Sequence, residues 1–256
     1  MIRYFILPVF ILLFFTACDQ SEIKKFDKKL LKSDLGKIKE QKMITTLPKK
    51  EEKKKVVKKK KKVNISVAQK KQRFKDILVP IVTEVYNQLQ TQFETVRKDI
   101  ANNKNQEFIK ELKEFYEVET NEELLKALKP HPISITLAQG AIESAWLTSR
   151  FTKVANNIFG VWSFRKNEPR VEATGMRGDK KIYLKKYKNL KAAVFDYYKN
   201  IGKNWAYDEF RTNRLLTNDP YILVDYLGSY SEKKERYTNL LKRMIEYNKF
   251  DKYDIK

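Results

Sequence analysis

Residues 130–149 read PHPISITLAQGAIESAWLTS, and Glu143 is their only acidic or basic side chain apart from His131. The chain as a whole is 34% charged, so about seven ionisable residues would be expected in twenty. On a helical wheel Ile135, Leu137, Ala138, Ala141, Ile142, Ala145 and Trp146 cover one half; Thr136, Gln139, Gly140, Glu143, Ser144 and Leu147 cover the other. That pattern predicts a helix sunk in its domain, with Glu143 mid-face among small residues that leave room for a ligand. A carboxyl in such surroundings is desolvated, keeps its proton to higher pH and suits a general acid. A buried ion pair, for instance with Arg150, satisfies the same pattern. His131, between two prolines, reads as a structural or surface residue.

The elements that would position Glu143 are legible as patterns. Phe74, Ile77, Leu78, Ile81, Val82, Val85, Leu89, Phe93, Val96 and Ile100 recur at three and four residues, predicting a long helix kinked at Pro80. A second helix is expected over 106–116. A third opens at the capping-box signature Thr120-Asn121-Glu122-Glu123 and stops before Pro130. Segments 171–176 and 181–187 flank Arg177-Gly178-Asp179-Lys180, the pattern of a hairpin. Further helices are expected over 189–201, 219–227 (Asp219 as cap, Pro220 at the first position) and 231–247, with Ser231 as cap. Four of the seven glycines, at 140, 160, 175 and 178, fall around the proposed cleft.

Residues 137–146 (LAQGAIESAW), Thr148-Ser149-Arg150-Phe151 and Asn156-Asn157-Ile158-Phe159-Gly160 resemble the glucosaminidase domain of glycoside hydrolase family 73, and within it the Bax-type bacterial proteins. The resemblance continues through Lys71-Gln72-Arg73-Phe74, Asn200-Ile201, Ala206-Tyr207, Tyr230-Ser231-Glu232 and Tyr237, and so covers most of 70–248. It implies an α+β, mostly helical, lysozyme-like domain with a small β-hairpin lobe at about 158–187. It also implies hydrolysis of peptidoglycan glycan at N-acetylglucosamine, with Glu143 as general acid. A second carboxylate, where the family has one, lies on the lobe; Glu172 is the choice here, with Glu168 and Asp179 as alternatives. The substrate's own N-acetyl group offers a route without one. Tyr230 and Tyr237 match aromatic positions near the cleft, and Trp162, Tyr187 and Gln139 join them as groups expected to face the sugar. Phe159 reads as core, and Asn156-Asn157 as the turn into the lobe. Leu147 departs from the family, which usually has Gly after Trp, and would narrow the groove beside the acid. No metal-ligand spacing or phosphate-cradling loop is present, and no cofactor is expected.

The rest of the chain carries most of the charge. Of 54 basic and 32 acidic residues, the first 72 residues hold 21 and 7, a net +14 out of +22. This division excludes a uniformly basic nucleic-acid coater. Residues 4–17 are an uncharged apolar run after Arg3, too short for a membrane-spanning helix and suited to a signal peptide over 1–17. The run ends Phe15-Thr16-Ala17-Cys18, similar to a bacterial lipobox, so Cys18, the sole cysteine, is expected to be lipidated. Residues 49–62 hold ten lysines and two glutamates, and 18–67 is expected to be a disordered tether that adds attraction to anionic membrane or wall polymer. A domain over 68–256 would thus be held at the periplasmic face of a membrane, with peptidoglycan as partner and no nucleic acid. A lytic transglycosylase, a non-catalytic wall-binding lipoprotein and a basic membrane-surface protein are the competing readings.

Overall fold

The computed structural model of the chain describes residues 65–177, 180–231 and 234–255. The apolar leader, Cys18, the lysine-rich tether and Asp179 lie outside the described residues.

The domain opens with α1 (Val67–Ala101), started by a capping box in which Ser66 and Gln69 satisfy each other's backbone N–H. It runs unbroken through Pro80 and buries Phe74, Leu78, Val82, Val85, Leu89, Phe93 and Val96, the stripe its spacing predicts. Next come α2 (Gln106–Tyr116) and α3 (Asn121–Leu128), the latter capped by the expected Thr120–Glu123 pair. Then follow α4 (Ile133–Glu143) and the short α5 (Arg150–Ala155), which Ser149 caps.

The strands β1 (Arg170–Arg177) and β2 (Lys180–Lys185) form one antiparallel pair, with Val171 opposite Leu184 and an irregular register between Glu172 and Met176. After this lobe come α6 (Leu190–Lys203), α7 (Asp208–Leu216), the single turn α8 (Pro220–Leu223) and α9 (Glu235–Asn248). Three 3₁₀ turns, Trp205–Tyr207, Val224–Tyr230 and Phe250–Tyr253, link and close the last helices. The architecture is the expected one, mostly helical with one small two-stranded antiparallel sheet.

Two boundaries differ from the sequence reading. The helix expected over 219–227 is α only to Leu223 and then tightens to 3₁₀, although Asp219 and Pro220 start it as expected. The helix expected to begin at Ser231 begins at Glu235; Ser231 terminates the preceding 3₁₀ turn, and Lys234, at φ +41°, precedes the first helical residue without a side-chain cap.

α4 is the centre of the described domain. Every residue from Ile133 to Ala141 is buried, under α1 on one side, α9 on another and the Phe250–Tyr253 turn on a third. Ile133, Ile135 and Leu137 have no exposed surface, and each fully buried side chain of this size contributes about 1.5–3 kcal/mol. Gly140 is where α1 comes close, since a Cβ there would stand 3.2 Å from Leu78 Cδ2 and 3.5 Å from Ile158 and Phe159. The space at Gly140 is therefore filled by the core and is not left for a ligand, as the sequence pattern suggested.

A helix buried at its N-terminus needs acceptors for its first N–H groups. Pro132 supplies no side-chain cap, so Asp254 does so from 120 residues away, its Oδ1 accepting from Ser134 N at 2.7 Å. Burial raises the Asp254 carboxyl from 3.8 to about 6, against the lowering pull of the Ser134 and Ile133 hydrogen bonds. A carboxyl whose pKa is higher in the folded state contributes stability below the unfolded pKa, and that contribution is lost as pH rises through the folded one. Stability measured by urea unfolding should therefore fall between pH 3.8 and about 6. Asp254→Asn should flatten that slope, and Asp254→Ala should cost about 1 kcal/mol by removing the cap. An unchanged slope in the Asn variant would exclude Asp254 as its source.

Candidate active site

Glu143 is the last helical residue of α4. The expectation of a continuous helix through Leu147 fails here, because Ala145, Trp146 and Leu147 all have left-handed backbone, at φ +49°, +62° and +60°. Such conformations cost an L-residue roughly 1–2 kcal/mol each, so other contacts must hold the turn. Ser144 does much of this. Its buried hydroxyl donates to the Gly140 carbonyl at 2.5 Å and accepts from Leu147 N at 2.8 Å. The Trp146 ring meets Phe74 edge-on at 5.1 Å and lies 6.3 Å from Phe250. The position where the family usually has Gly is a positive-φ position, and Leu147 occupies it while packing partly against the core.

The turn brings Glu143 from mid-face to the end of a buried helix. The residue is exposed to solvent along one side, yet its carboxyl is crowded on the other by Tyr237, with Tyr207 and Tyr230 close enough to feel its charge. Desolvation raises the Glu143 pKa, and a hydrogen bond donated by the Tyr237 hydroxyl at 3.2 Å partly opposes the rise. The C-terminal end of α4 acts in the same direction as desolvation, since the partial negative charge there disfavours a carboxylate. The ion pair with Arg150 does not form; that guanidinium reaches the Glu172 carbonyl instead, at 3.5 Å. Glu143 is thus a solvent-accessible carboxyl without a cationic partner among the described residues, able to hold a proton and give it up.

Behind it runs a line of buried polar groups. Gln139 Nε2 donates to the Tyr237 hydroxyl at 3.0 Å, and the Tyr197 hydroxyl donates to Gln139 Oε1. Tyr197 also meets His131 Nε2 at 3.1 Å. Gln139 has no exposed surface, so it cannot touch a sugar as the sequence reading expected; its contact with the site is through Tyr237. Tyr237 is likewise buried at 4% exposure, its ring stacked on Tyr230 at 5.7 Å and its hydroxyl kept protonated by burial beside Glu143. Tyr230 is half-buried and donates to the Phe159 carbonyl at 3.3 Å. Phe159 is core, as expected, stacked on Tyr197 at 4.1 Å. His131 is wholly buried, a structural residue.

On the lobe, Trp162 is 38% exposed and pairs with the more exposed Phe164 at 6.1 Å between rings. Tyr187 is tied back to the body, donating to Asp196 at 2.7 Å. Glu172 is exposed and forms an ion pair with Lys181 at 3.1 Å. Glu168 is half-buried and accepts from Ser163 at 2.6 Å, so it is held in place and not an ordinary loop charge. Asn157 fastens the lobe to the body. Its Nδ2 donates to the Val161 and Lys185 carbonyls, both at 2.9 Å, and its Oδ1 accepts from Val161 N. Asn156, left-handed at φ +52°, adds a bond to the Tyr187 carbonyl.

Sequence reasoning assigns no role to Ser144 or Tyr197, and places Tyr207 only within the family resemblance. Ser144 is visible there only as a polar residue in an apolar run. Tyr197 carries no local signal, since its partners Gln139 and His131 lie tens of residues away.

A family model described as "Mannosyl-glycoprotein endo-beta-N-acetylglucosaminidase", the glucosaminidase family, matches residues 118–250. The chain is 29% identical over 131 residues to "Protein bax" of Escherichia coli (strain K12), an alignment that covers 49% of this chain and 46% of that protein. It thus spans less than half the length of that relative. Among solved structures, it resembles the catalytic domain of the autolysin Auto from Listeria monocytogenes at 16% identity and a TM-score of 0.49, over 74% of this chain and 90% of that one. It also resembles a glycoside hydrolase domain of Salmonella typhimurium FlgJ at 21% identity and a TM-score of 0.38, over 54% and 97%.

Proposed function

Since the chain belongs to the glucosaminidase family, we propose that it is a peptidoglycan hydrolase that cleaves glycan at N-acetylglucosamine, with Glu143 as general acid. The observation that carries this reading is the state of Glu143: solvent-accessible, crowded enough to raise its pKa, and bonded to a tyrosine hydroxyl and, among the described residues, to no cation. The protonated carboxyl gives its proton to the glycosidic oxygen as the C1–O bond breaks. Water then adds to C1, with its proton taken by a second carboxylate, or the sugar's N-acetyl group attacks first. Glu172 is the second carboxylate in this reading, and Glu168 is the other described candidate. The exposed ring of Trp162 offers an apolar face to pyranose C–H groups. In this reading the domain is held at the periplasmic side of a membrane by acyl chains on Cys18, with the lysine-rich segment adding attraction to anionic membrane or wall polymer.

Three tests address these assignments. Full-length protein should digest purified peptidoglycan and release fragments with reducing N-acetylglucosamine ends, and Glu143→Gln should abolish the activity while leaving the far-UV spectrum unchanged. Full activity in that variant would remove Glu143 from the chemistry; reducing muramic ends or 1,6-anhydro ends would instead assign a muramidase or a lytic transglycosylase. Glu172→Ala should slow hydrolysis by at least about a hundredfold if it activates water, and a near-normal rate would pass that role to Glu168 or to the substrate. Cys18→Ala should move the protein from the membrane to the soluble fraction on fractionation of cells; retention in the membrane would refute lipidation as the tether.

A further inference from the structure

His131 lies between Pro130 and Pro132, directly before α4, and has no exposed surface. Its ring stacks on Tyr198 at 4.4 Å and meets Tyr197 and Phe210 edge-on. Nε2 is 2.9 Å from the Thr136 hydroxyl and 3.1 Å from the Tyr197 hydroxyl, whereas Nδ1 has no hydrogen-bond partner. The Thr136 hydroxyl donates to Tyr198 at 2.9 Å, and Tyr198 donates to the His131 carbonyl at 3.4 Å. A hydroxyl has one hydrogen to give, so Thr136 faces Nε2 as an acceptor and Nε2 carries the proton. The other tautomer would bury an N–H at Nδ1 with nothing to receive it.

That choice of tautomer propagates. The one Nε2 hydrogen is shared between the Thr136 and Tyr197 oxygens, so Tyr197 faces the ring as an acceptor and its own hydrogen goes to Gln139 Oε1. The amide is thereby fixed with its NH₂ toward Tyr237, which it reaches at 3.0 Å, and the Tyr237 hydrogen is left for Glu143 at 3.2 Å. Every bond donates toward the carboxyl. With the opposite tautomer, Tyr197 would donate to His131, the Gln139 amide would turn over to donate to Tyr197, and Tyr237 would spend its hydrogen on the amide oxygen. Glu143 would lose its bond.

We propose that His131 is a positioning residue for Glu143: held as the neutral Nε2–H tautomer, it sets the direction of a donor chain through Tyr197, Gln139 and Tyr237 that ends on the carboxyl. The catalytic consequence rests on the general-acid reading of Glu143; the direction of the chain does not. Desolvation first, and then the nearby Arg214 charge, hold the imidazole well below its usual range, so it stays uncharged. Tyr197 and Tyr198 are the other titratable groups facing it, and Tyr207, Tyr230 and Tyr237 are those facing Glu143.

His131 is the only histidine in the chain, so ¹⁵N-histidine labelling of the full-length protein gives a single imidazole to observe. Long-range ¹H–¹⁵N spectra should show the neutral Nε2–H tautomer between about pH 5 and 8. An Nδ1–H tautomer, or an imidazolium appearing in that range, would overturn the proposal. In kinetics on peptidoglycan fragments, His131→Phe should lower kcat about tenfold with KM unchanged, the scale of one modest hydrogen bond. It should also move the basic limb of the kcat profile to higher pH, because the Tyr237 bond that opposes the rise of the Glu143 pKa is weakened. Adding it to Tyr237→Phe should cost nothing more; losses that multiply would mean His131 acts elsewhere. If His131→Phe fails to fold, Tyr197→Phe breaks the next link and takes the same comparison. Should Glu143→Gln prove fully active, the general-acid reading falls, and the tautomer measurement still decides the chain's direction by itself.

Discussion

A helix covered on every side must have its polar groups satisfied by the rest of the chain, and this constraint on α4 organises the domain. α4 has hydrophobic neighbours in α1, in α9 and in the closing 3₁₀ turn, so water reaches neither its start nor most of its length. Its first N–H groups are served by Asp254, from the last residues of the chain. Its last turn is closed by the Ser144 hydroxyl, which bridges a helical carbonyl and the N–H of Leu147. Its internal amide, Gln139, is satisfied by tyrosines from α6 and α9. Segments far apart in sequence are thus required at one place, and where they converge the helix ends with a carboxyl open to solvent.

The same constraint explains why Glu143 is placed with such definition. A surface glutamate rotates about three bonds, whereas this one stands just before a turn of three left-handed residues that only a filled surrounding can sustain. The Trp146 ring between Phe74 and Phe250 fixes that turn from the core side, and Tyr237, stacked on Tyr230, fixes the carboxyl from the other. The lobe is fastened where it enters and leaves the body: the Asn157 amide donates to the Val161 and Lys185 carbonyls.

What the sequence made legible follows from what is local. The stripe of α1, the Thr120–Glu123 capping box and the hairpin are each encoded within a few residues, and each was found where the pattern put it. Glu143 stood out because a single charge in a neutral run is itself a local signal. The end of α4 was missed because Ala145, Trp146 and Leu147 bear none of the glycine or asparagine that usually marks left-handed backbone; tertiary packing of Trp146 overrides their preference. The role of Gln139 was misread for the complementary reason. A polar residue one turn from the acid suggests a ligand contact, but its partners, Tyr197 and Tyr237, lie 58 and 98 residues away and leave no trace in its neighbourhood. The same holds for His131, whose flanking prolines advertise a turn and conceal a buried ring.

Electrostatics complete the picture. The chain carries 54 basic residues against 32 acidic ones, so a carboxyl placed at random would often meet an ammonium or guanidinium and be held ionised. Glu172 has such a partner in Lys181, as Asp196 has in Lys185 and Glu84 in Lys191. At Glu143 burial raises the pKa, the Tyr237 hydrogen bond partly opposes it, and among the described residues no lysine or arginine contributes. The groups that approach it are tyrosines, which burial keeps neutral; one of them, Tyr237, donates a hydrogen bond to the carboxyl without supplying charge. In a chain this basic, excluding cations from one carboxyl calls for a wall of aromatic side chains, and the cluster of Tyr197, Tyr207, Tyr230 and Tyr237 behind the end of α4 is that wall.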